Sequence, residues 1–269
     1  MSRIGFAHRA TRPLAVVALV VAVALPLNVR AESPALVCDA PLDMIRFAHP
    51  LARVSQKLSN GDPITIVAMG SSSTAGTGAS SPATTYPSRL EAELTQRFPG
   101  HLITVLNRGV GGEEVADMLK RFDTAVIAAK PDLVLWQLGT NSVIHDYKIS
   151  DQDTSIRAGL AKIRSMGADV VLIDPQFVPM VIVKPEAVHM VELIATTAKN
   201  EDVDLFPRFD LMKRWYDVDR MKFESFVSPD GLHMNDWSYG CLAKALSVAI
   251  SEATQRPVLS VTVMRHLVQ

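Results

Sequence analysis

Five short, nearly unbroken apolar runs, each set off from the next by a longer stretch of mixed polarity, limit what this chain can fold into. The runs cover residues 64–69, 102–106, 132–138, 169–174 and 203–206. Each is too short for a buried helix and reads as a strand, and the first follows the turn signal Asn60-Gly-Asp-Pro63. Between them, residues 87–98, 113–129, 154–166 and 185–199 read as helices. Leu90, Glu91, Glu93 and Leu94 show the spacing of a surface helix in the first of these. A last helix is expected over residues 237–254, with Asn235 or Asp236 as its N-cap. Strands separated by helices of this length form βαβ units, and strands apolar on both sides belong to a parallel sheet covered on both faces. No internal repeat and no second domain is apparent. In such sheets chemistry gathers at the carboxyl ends of the strands, here just after Met69, Leu106, Leu138 and Asp174.

The first 31 residues are of another kind. Arg3, Arg9 and Arg12 precede a 14-residue apolar run, residues 14–27, and Val29-Arg30-Ala31 offers a small residue for cleavage. That pattern reads as a secretory signal peptide cut after Ala31, leaving residues 32–269 as a single domain. The run is shorter than the ~20 residues a spanning helix needs, so no stable membrane insertion is expected after cleavage. The expected location is periplasmic or secreted. Cleavage takes four arginines and no acidic residue from totals of 27 basic and 28 acidic residues, leaving a net charge of −5. Such a balance gives no basis for nucleic-acid binding. Cys38 and Cys241 are the two cysteines. In an oxidising compartment they are candidates for a disulfide, and two buried free thiols are the alternative.

Four elements carry candidate chemistry. The first strand runs into Gly70-Ser-Ser-Ser-Thr-Ala-Gly-Thr-Gly78, where glycines permit a tight turn and serines supply hydroxyls. Alone, this loop fits a nucleophile, a phosphate cradle for flavin or nucleotide, or a plain polar turn. The absence of lysine argues against a Walker-type loop. Asn107-Arg-Gly-Val-Gly-Gly-Glu113 and Gly139-Thr-Asn-Ser142 follow the second and third strands. Both place small residues and backbone N–H groups where an acyl-transfer oxyanion needs donors, although either also fits an ordinary βα turn. Near the end stands Ser228-Pro-Asp-Gly-Leu-His-Met234. A serine needs a base, and histidine, with an ordinary pKa near neutrality, needs a carboxylate to fix its tautomer. Asp230 and His233, three apart across a turn, are candidates for such a pair, although a lone Asp-x-x-His is more often a plain surface turn. No His/Cys/Asp/Glu spacing suggests a zinc set.

The order of these four elements resembles the SGNH (GDSL-type) hydrolase family, from about Ile64 to the final helix. The resemblance implies an α/β fold, a flavodoxin-like three-layer α/β/α sandwich with a parallel five-stranded sheet. It implies Ser72 as nucleophile, with Asp230 and His233 completing the triad. The oxyanion hole would be the Ser72 N–H, the Gly112 N–H and the Asn141 side chain, with no metal and no cofactor. Two positions depart from the family pattern: Ser71 stands where Asp is usual, and Ser142 where Asp commonly follows the Asn. Neither belongs to the triad. The implied function is cleavage of carboxylic esters through an acyl-enzyme, on a small-molecule, glycan or lipid ester. Short acyl or O-acetyl esters are favoured because no long apolar insertion suggests a lipase lid. Lysophospholipase or thioesterase action by the same mechanism, a catalytically silent envelope-binding protein and a flavin or nucleotide carrier are the alternatives.

Overall fold

The computed structural model describes residues 38–257, together with residues 1, 2 and 5. The expected export segment and its cut after Ala31 lie outside the described residues, apart from those three positions. The chain divides into residues 1–37 and residues 38–269, and the second unit carries the fold.

Five parallel strands, β1 (Ile64–Gly70), β2 (Ile103–Gly109), β3 (Leu133–Gln137), β4 (Asp169–Ile173) and β5 (Asp204–Phe206), form one sheet in the order β2-β1-β3-β4-β5. The register pairs Ile64 with Ile103, Ile66 with Leu133, and Leu133 with Asp169. All five residues of β3 are buried, as expected of a central strand covered on both faces. The helix Tyr86–Arg97 and the final helix Asp236–Gln255 contact each other in one outer layer, while Ser150–Ser165 contacts Val115–Lys120 and Glu186–Asn200 in the other. The expected three-layer α/β/α sandwich with a five-stranded parallel sheet is what the structure has. The strand order changes direction about β1, so the loops after β1, β2 and β3 meet at one sheet end.

Local chemistry explains the boundaries. Asn235 is the N-cap of the final helix: its side chain accepts the Ser238 N–H at 3.1 Å, and the Ser238 hydroxyl accepts the Asn235 N–H at 3.0 Å. The expected helix over residues 113–129 is broken into Val115–Lys120, Phe122–Ala125 and a 3-10 turn Ile127–Ala129. Its break falls at Arg121, whose side chain turns inward. There it donates to Glu113 Oε1 at 2.7 Å and to the Arg108 carbonyl at the end of β2 at 2.8 Å. Two helices of nine or more residues were not expected, Ala52–Asn60 and Arg208–Asp217. Trp136 is fully buried in β3, its ring seated against Gly159, where even a methyl group would collide.

Cys38 and Cys241 are disulfide-bonded, with Cα atoms 5.3 Å apart. The bond ties the segment ahead of the first helix to the buried face of the final one.

Candidate active site

The backbone leaves β1 at Gly70 and turns at once into the short helix Ser72–Ala75. Gly70 has no room for a side chain: a Cβ there would sit 2.8 Å from Gln137 Oε1. The turn sets Ser72 facing outward, half-buried, while Ser71, Ser73 and Thr74 point into the protein and are buried. Of the serine run, Ser72 therefore meets the loop near the C-terminus. His233 Nε2 lies 2.8 Å from Ser72 Oγ, and His233 Nδ1 lies 2.6 Å from Asp230 Oδ2. Asp230 Oδ1 accepts the backbone N–H of Leu232 and of His233, each at 2.9 Å. Partial burial would raise this carboxyl, but the His233 ring and the two N–H donors outweigh it and hold Asp230 below the usual carboxylate range. It stays charged, able to keep Nδ1 protonated and Nε2 free to receive a proton.

The other two loops close on the same point. A Cβ on Gly111 would stand 3.9 Å from Ser72 Cβ, so the glycine turn after β2 lies against the serine. Gly112 has φ +80°, which suits glycine and turns its N–H out of the strand pattern. Neither the Ser72 nor the Gly112 N–H is used by an acceptor among the described residues. After β3, Gly139 (φ +85°) swings the chain into Thr140–Ile144, which buries Asn141. Asn141 Nδ2 donates to the Glu113 carbonyl at 2.8 Å. One amide hydrogen thus locks the side chain beside Gly112 and leaves the second for a ligand oxygen. Three candidate donors and a hydroxyl linked to a base and a carboxylate make a site able to perform acyl transfer.

Gln137 supplies a shared acceptor for the turn that carries Ser72. Its Oε1 accepts from Ser71 N at 2.9 Å, from Ser71 Oγ and Ser73 Oγ at 3.1 Å, and from Thr74 Oγ1 at 3.3 Å. Below it lies Arg208, with no exposure at all. Arg208 donates from Nη1 to Ser73 Oγ at 3.0 Å and from Nε to the Asp174 carbonyl at 2.9 Å. Burial lowers its pKa to about 10, against the attraction of Asp174. Burial also pushes the Asp174 carboxyl up to about 7, even though it accepts the Phe209 N–H. Tyr86, 3.4 Å from Thr74 Oγ1, is raised by burial to about 12. Tyr239 donates to the Thr77 carbonyl at 2.7 Å and fixes the far end of the turn. Ser142 is buried beside Glu114, whose carboxyl burial raises.

Gln137 and Arg208 escaped the sequence reading. A lone amide inside an apolar strand was a usable signal for Gln137. Nothing local marks Arg208, which is remote in sequence from the turn it supports. His145 and Asp146 lie exposed after the Asn141 turn, whereas Trp215 is buried. Among the described residues no group of three or more His, Cys, Asp or Glu could hold a metal ion, and no helix is long and apolar enough to cross a membrane.

Comparison with known proteins identifies the family and the fold. The family described as the Non-GDSL lipase-like family matches residues 37–256. No curated protein matches the sequence significantly. Among solved structures, a two-domain esterase active on acetylated mannans superposes with a TM-score of 0.67 at 17% identity, covering 79% of this chain. The chain spans only 55% of that protein. An acetylxylan esterase from Geobacillus stearothermophilus gives 0.59 at 18% identity, covering 70% of this chain and 94% of that one. A lipase/acylhydrolase from Enterococcus faecalis gives 0.59 at 21%, covering 70% and 96%.

Proposed function

Since the chain belongs to the Non-GDSL lipase-like family and is built as an SGNH (GDSL-type) hydrolase, we propose that it is an exported serine esterase acting on short acyl or O-acetyl carboxylic esters. The observation that carries this reading is the continuous relay from Ser72 Oγ through His233 to Asp230, at 2.8 and 2.6 Å.

In the proposed reaction His233 Nε2 takes the Ser72 proton as Oγ attacks the ester carbonyl. Charge developing on the carbonyl oxygen is met by the Ser72 and Gly112 N–H groups and the free hydrogen of the Asn141 amide. As the tetrahedral intermediate collapses, His233 returns its proton to the departing alcohol and an acyl-Ser72 ester remains. Water, deprotonated by the same imidazole, cleaves that ester, releasing the acid and regenerating Ser72. Asp230 stays ionised throughout and stabilises the imidazolium. No metal and no cofactor takes part in this scheme. Export is supported by the signal-like start of the sequence and by the Cys38–Cys241 disulfide, a bond that persists in oxidising compartments. The preference for acetyl esters draws on the acetylated mannan and acetylxylan substrates named for two structural neighbours.

The test is Ser72→Ala in the purified protein. Hydrolysis of a simple acetate ester and covalent labelling by a fluorophosphonate should both disappear while the thermal melt stays cooperative. Retained turnover in a folded variant would overturn the assignment.

A further inference from the structure

The proposed oxyanion site draws its donors from the loops after β1, β2 and β3, and one pair of residues contacts all three. Arg121 Nε donates to both carboxyl oxygens of Glu113, at 2.7 and 2.8 Å. Arg121 Nη2 donates to the Arg108 carbonyl, at the end of β2, at 2.8 Å and reaches the Gly70 carbonyl, at the end of β1, at 3.5 Å. The same Gly70 oxygen accepts the Val110 N–H at 3.0 Å, which joins the first two loops directly. Glu113 carries the tie to the third, because its backbone carbonyl accepts Asn141 Nδ2 at 2.8 Å.

The positions of these contacts along the chain give them a chemical meaning. Gly70 stands two residues before Ser72, and Gly112 directly precedes Glu113. Two consecutive glycines, Gly111 and Gly112, leave the second loop free to adopt many backbone conformations. A side chain clamped at both carboxyl oxygens one residue further on removes that freedom. A guanidinium that served only to end the helix Val115–Lys120 would find its acceptors in the preceding turn. Arg121 instead uses acceptors at residues 70, 108 and 113, on the loops that carry Ser72 and Gly112. The two side chains are 22% and 14% exposed, so little water screens the pair or stands ready to replace either partner. A planar guanidinium serves several acceptors in fixed directions, which an ammonium does not.

We infer that Arg121 and Glu113 are positioning residues for the oxyanion site, a clamp that keeps the Ser72 and Gly112 N–H groups and the Asn141 amide converged on one point. Both act through Gly112 and Asn141, not on the substrate. The inference rests on the esterase reading above and adds to it the residues that hold its donors in place.

The experiment has a kinetic arm and a crystallographic arm. In the first, Arg121→Met should lower kcat for a simple acetate ester about tenfold or more, with KM within about twofold of the native value. Arg121→Lys should recover only part of the loss, and Glu113→Gln, which keeps size and backbone, should lose turnover in the same direction by a smaller factor. A trifluoromethyl ketone, whose tetrahedral adduct with Ser72 sets an oxyanion among the donors, should lose affinity in each variant by the same factor as kcat. A lowered melting temperature with kcat unchanged, a loss confined to KM, or a loss in kcat with inhibitor affinity retained would overturn the inference. If Arg121→Met does not fold, Glu113→Gln carries the same readings. In the second arm, the crystal structure of the folded variant should show Gly112 and the Asn141 amide displaced relative to Ser72. Both found in their native places would overturn the inference whatever the kinetics. Failure of the esterase reading would register separately, as ester turnover that survives Ser72→Ala, and the crystallographic arm would still decide the positioning role.

Discussion

Arg208 Nη1 donates to Ser73 Oγ at 3.0 Å, one residue along the chain from the Ser72 hydroxyl. A fully buried guanidinium is costly to desolvate, and no carboxylate among the described residues is ion-paired with it. Its hydrogen bonds go to the Ser72 turn and to the end of β4, so it spans two loops that must hold still relative to each other. It acts on Ser72 through Ser73 and is therefore a positioning residue. A misplacement of the turn by about 1 Å is enough to cost turnover heavily. Arg208→Met should lower kcat for a simple acetate ester on the order of tenfold or more with KM nearly unchanged, and Arg208→Lys should recover part of the loss. Steady-state kinetics on variants with intact thermal melts decide the matter. An unchanged kcat would mean that Arg208 fills space and no more.

Asn141 offers a second test of the proposed site. Its amide is held by the Glu113 carbonyl at 2.8 Å, so the remaining hydrogen is aimed without entropic cost at the moment of reaction. Loss of one preorganised oxyanion donor costs about a hundredfold or more in kcat. Asn141→Ala should show that drop with little change in KM. Asn141→Asp should be at least as damaging, because its carboxylate oxygens would repel both the Glu113 carbonyl and the oxyanion. A loss in KM alone would move Asn141 from the oxyanion site to ground-state binding.

The fold was legible because burial on both faces forces each central strand to be apolar, and each run in residues 64–69, 132–138 and 169–174 became a strand. The break at Arg121 was not legible, since it depends on carbonyls at the end of β2 that only the folded sheet brings near. At the site, Ser72, Asp230 and His233 stood out because their chemistry needs fixed residue types in a fixed order. The departure at Ser71 could not be judged from the sequence. Its acceptor is Gln137, 66 positions away, which takes both the Ser71 N–H and its hydroxyl. Arg208 was invisible for the same reason. A residue that acts by packing under a loop carries no local pattern.

The disulfide should contribute strongly to stability. Cys38 and Cys241 are separated by 203 positions, so the bond closes nearly the whole domain into a loop. Closing a long loop restricts the unfolded chain, by roughly 3–5 kcal/mol in the chain-entropy account. Reduction, or the pair Cys38→Ala and Cys241→Ala, should lower the urea midpoint accordingly while leaving kcat near that of the oxidised protein. A midpoint unaffected by reductant would show that the terminal segment adds nothing to the cooperative unit.

Buried carboxyls make the stability of this protein fall with pH in a window where many proteins are flat. Burial raises Asp174 to about 7 and Asp169 to about 6, and it raises Asp204 as well. In the unfolded chain these groups ionise near the ordinary value of about 4. Between about pH 4 and pH 7 the folded state therefore holds protons that the unfolded state has released. Unfolding loses those protons, so stability declines as pH rises through this window and levels off above it. Carboxyls with depressed values, such as Asp230 and Asp236, act in the opposite sense, but only below about pH 4, where they begin to protonate. Asp174→Asn keeps an oxygen to accept the Phe209 N–H, bonded at 2.8 Å in the native protein, and cannot ionise. It should match the native protein near pH 4.5 and exceed it at pH 8, by an amount on the order of a few kcal/mol. Denaturant midpoints of both proteins at the two pH values measure the difference. Parallel curves would mean that Asp174 is ionised in the folded state throughout and paired with Arg208 more closely than the geometry here allows.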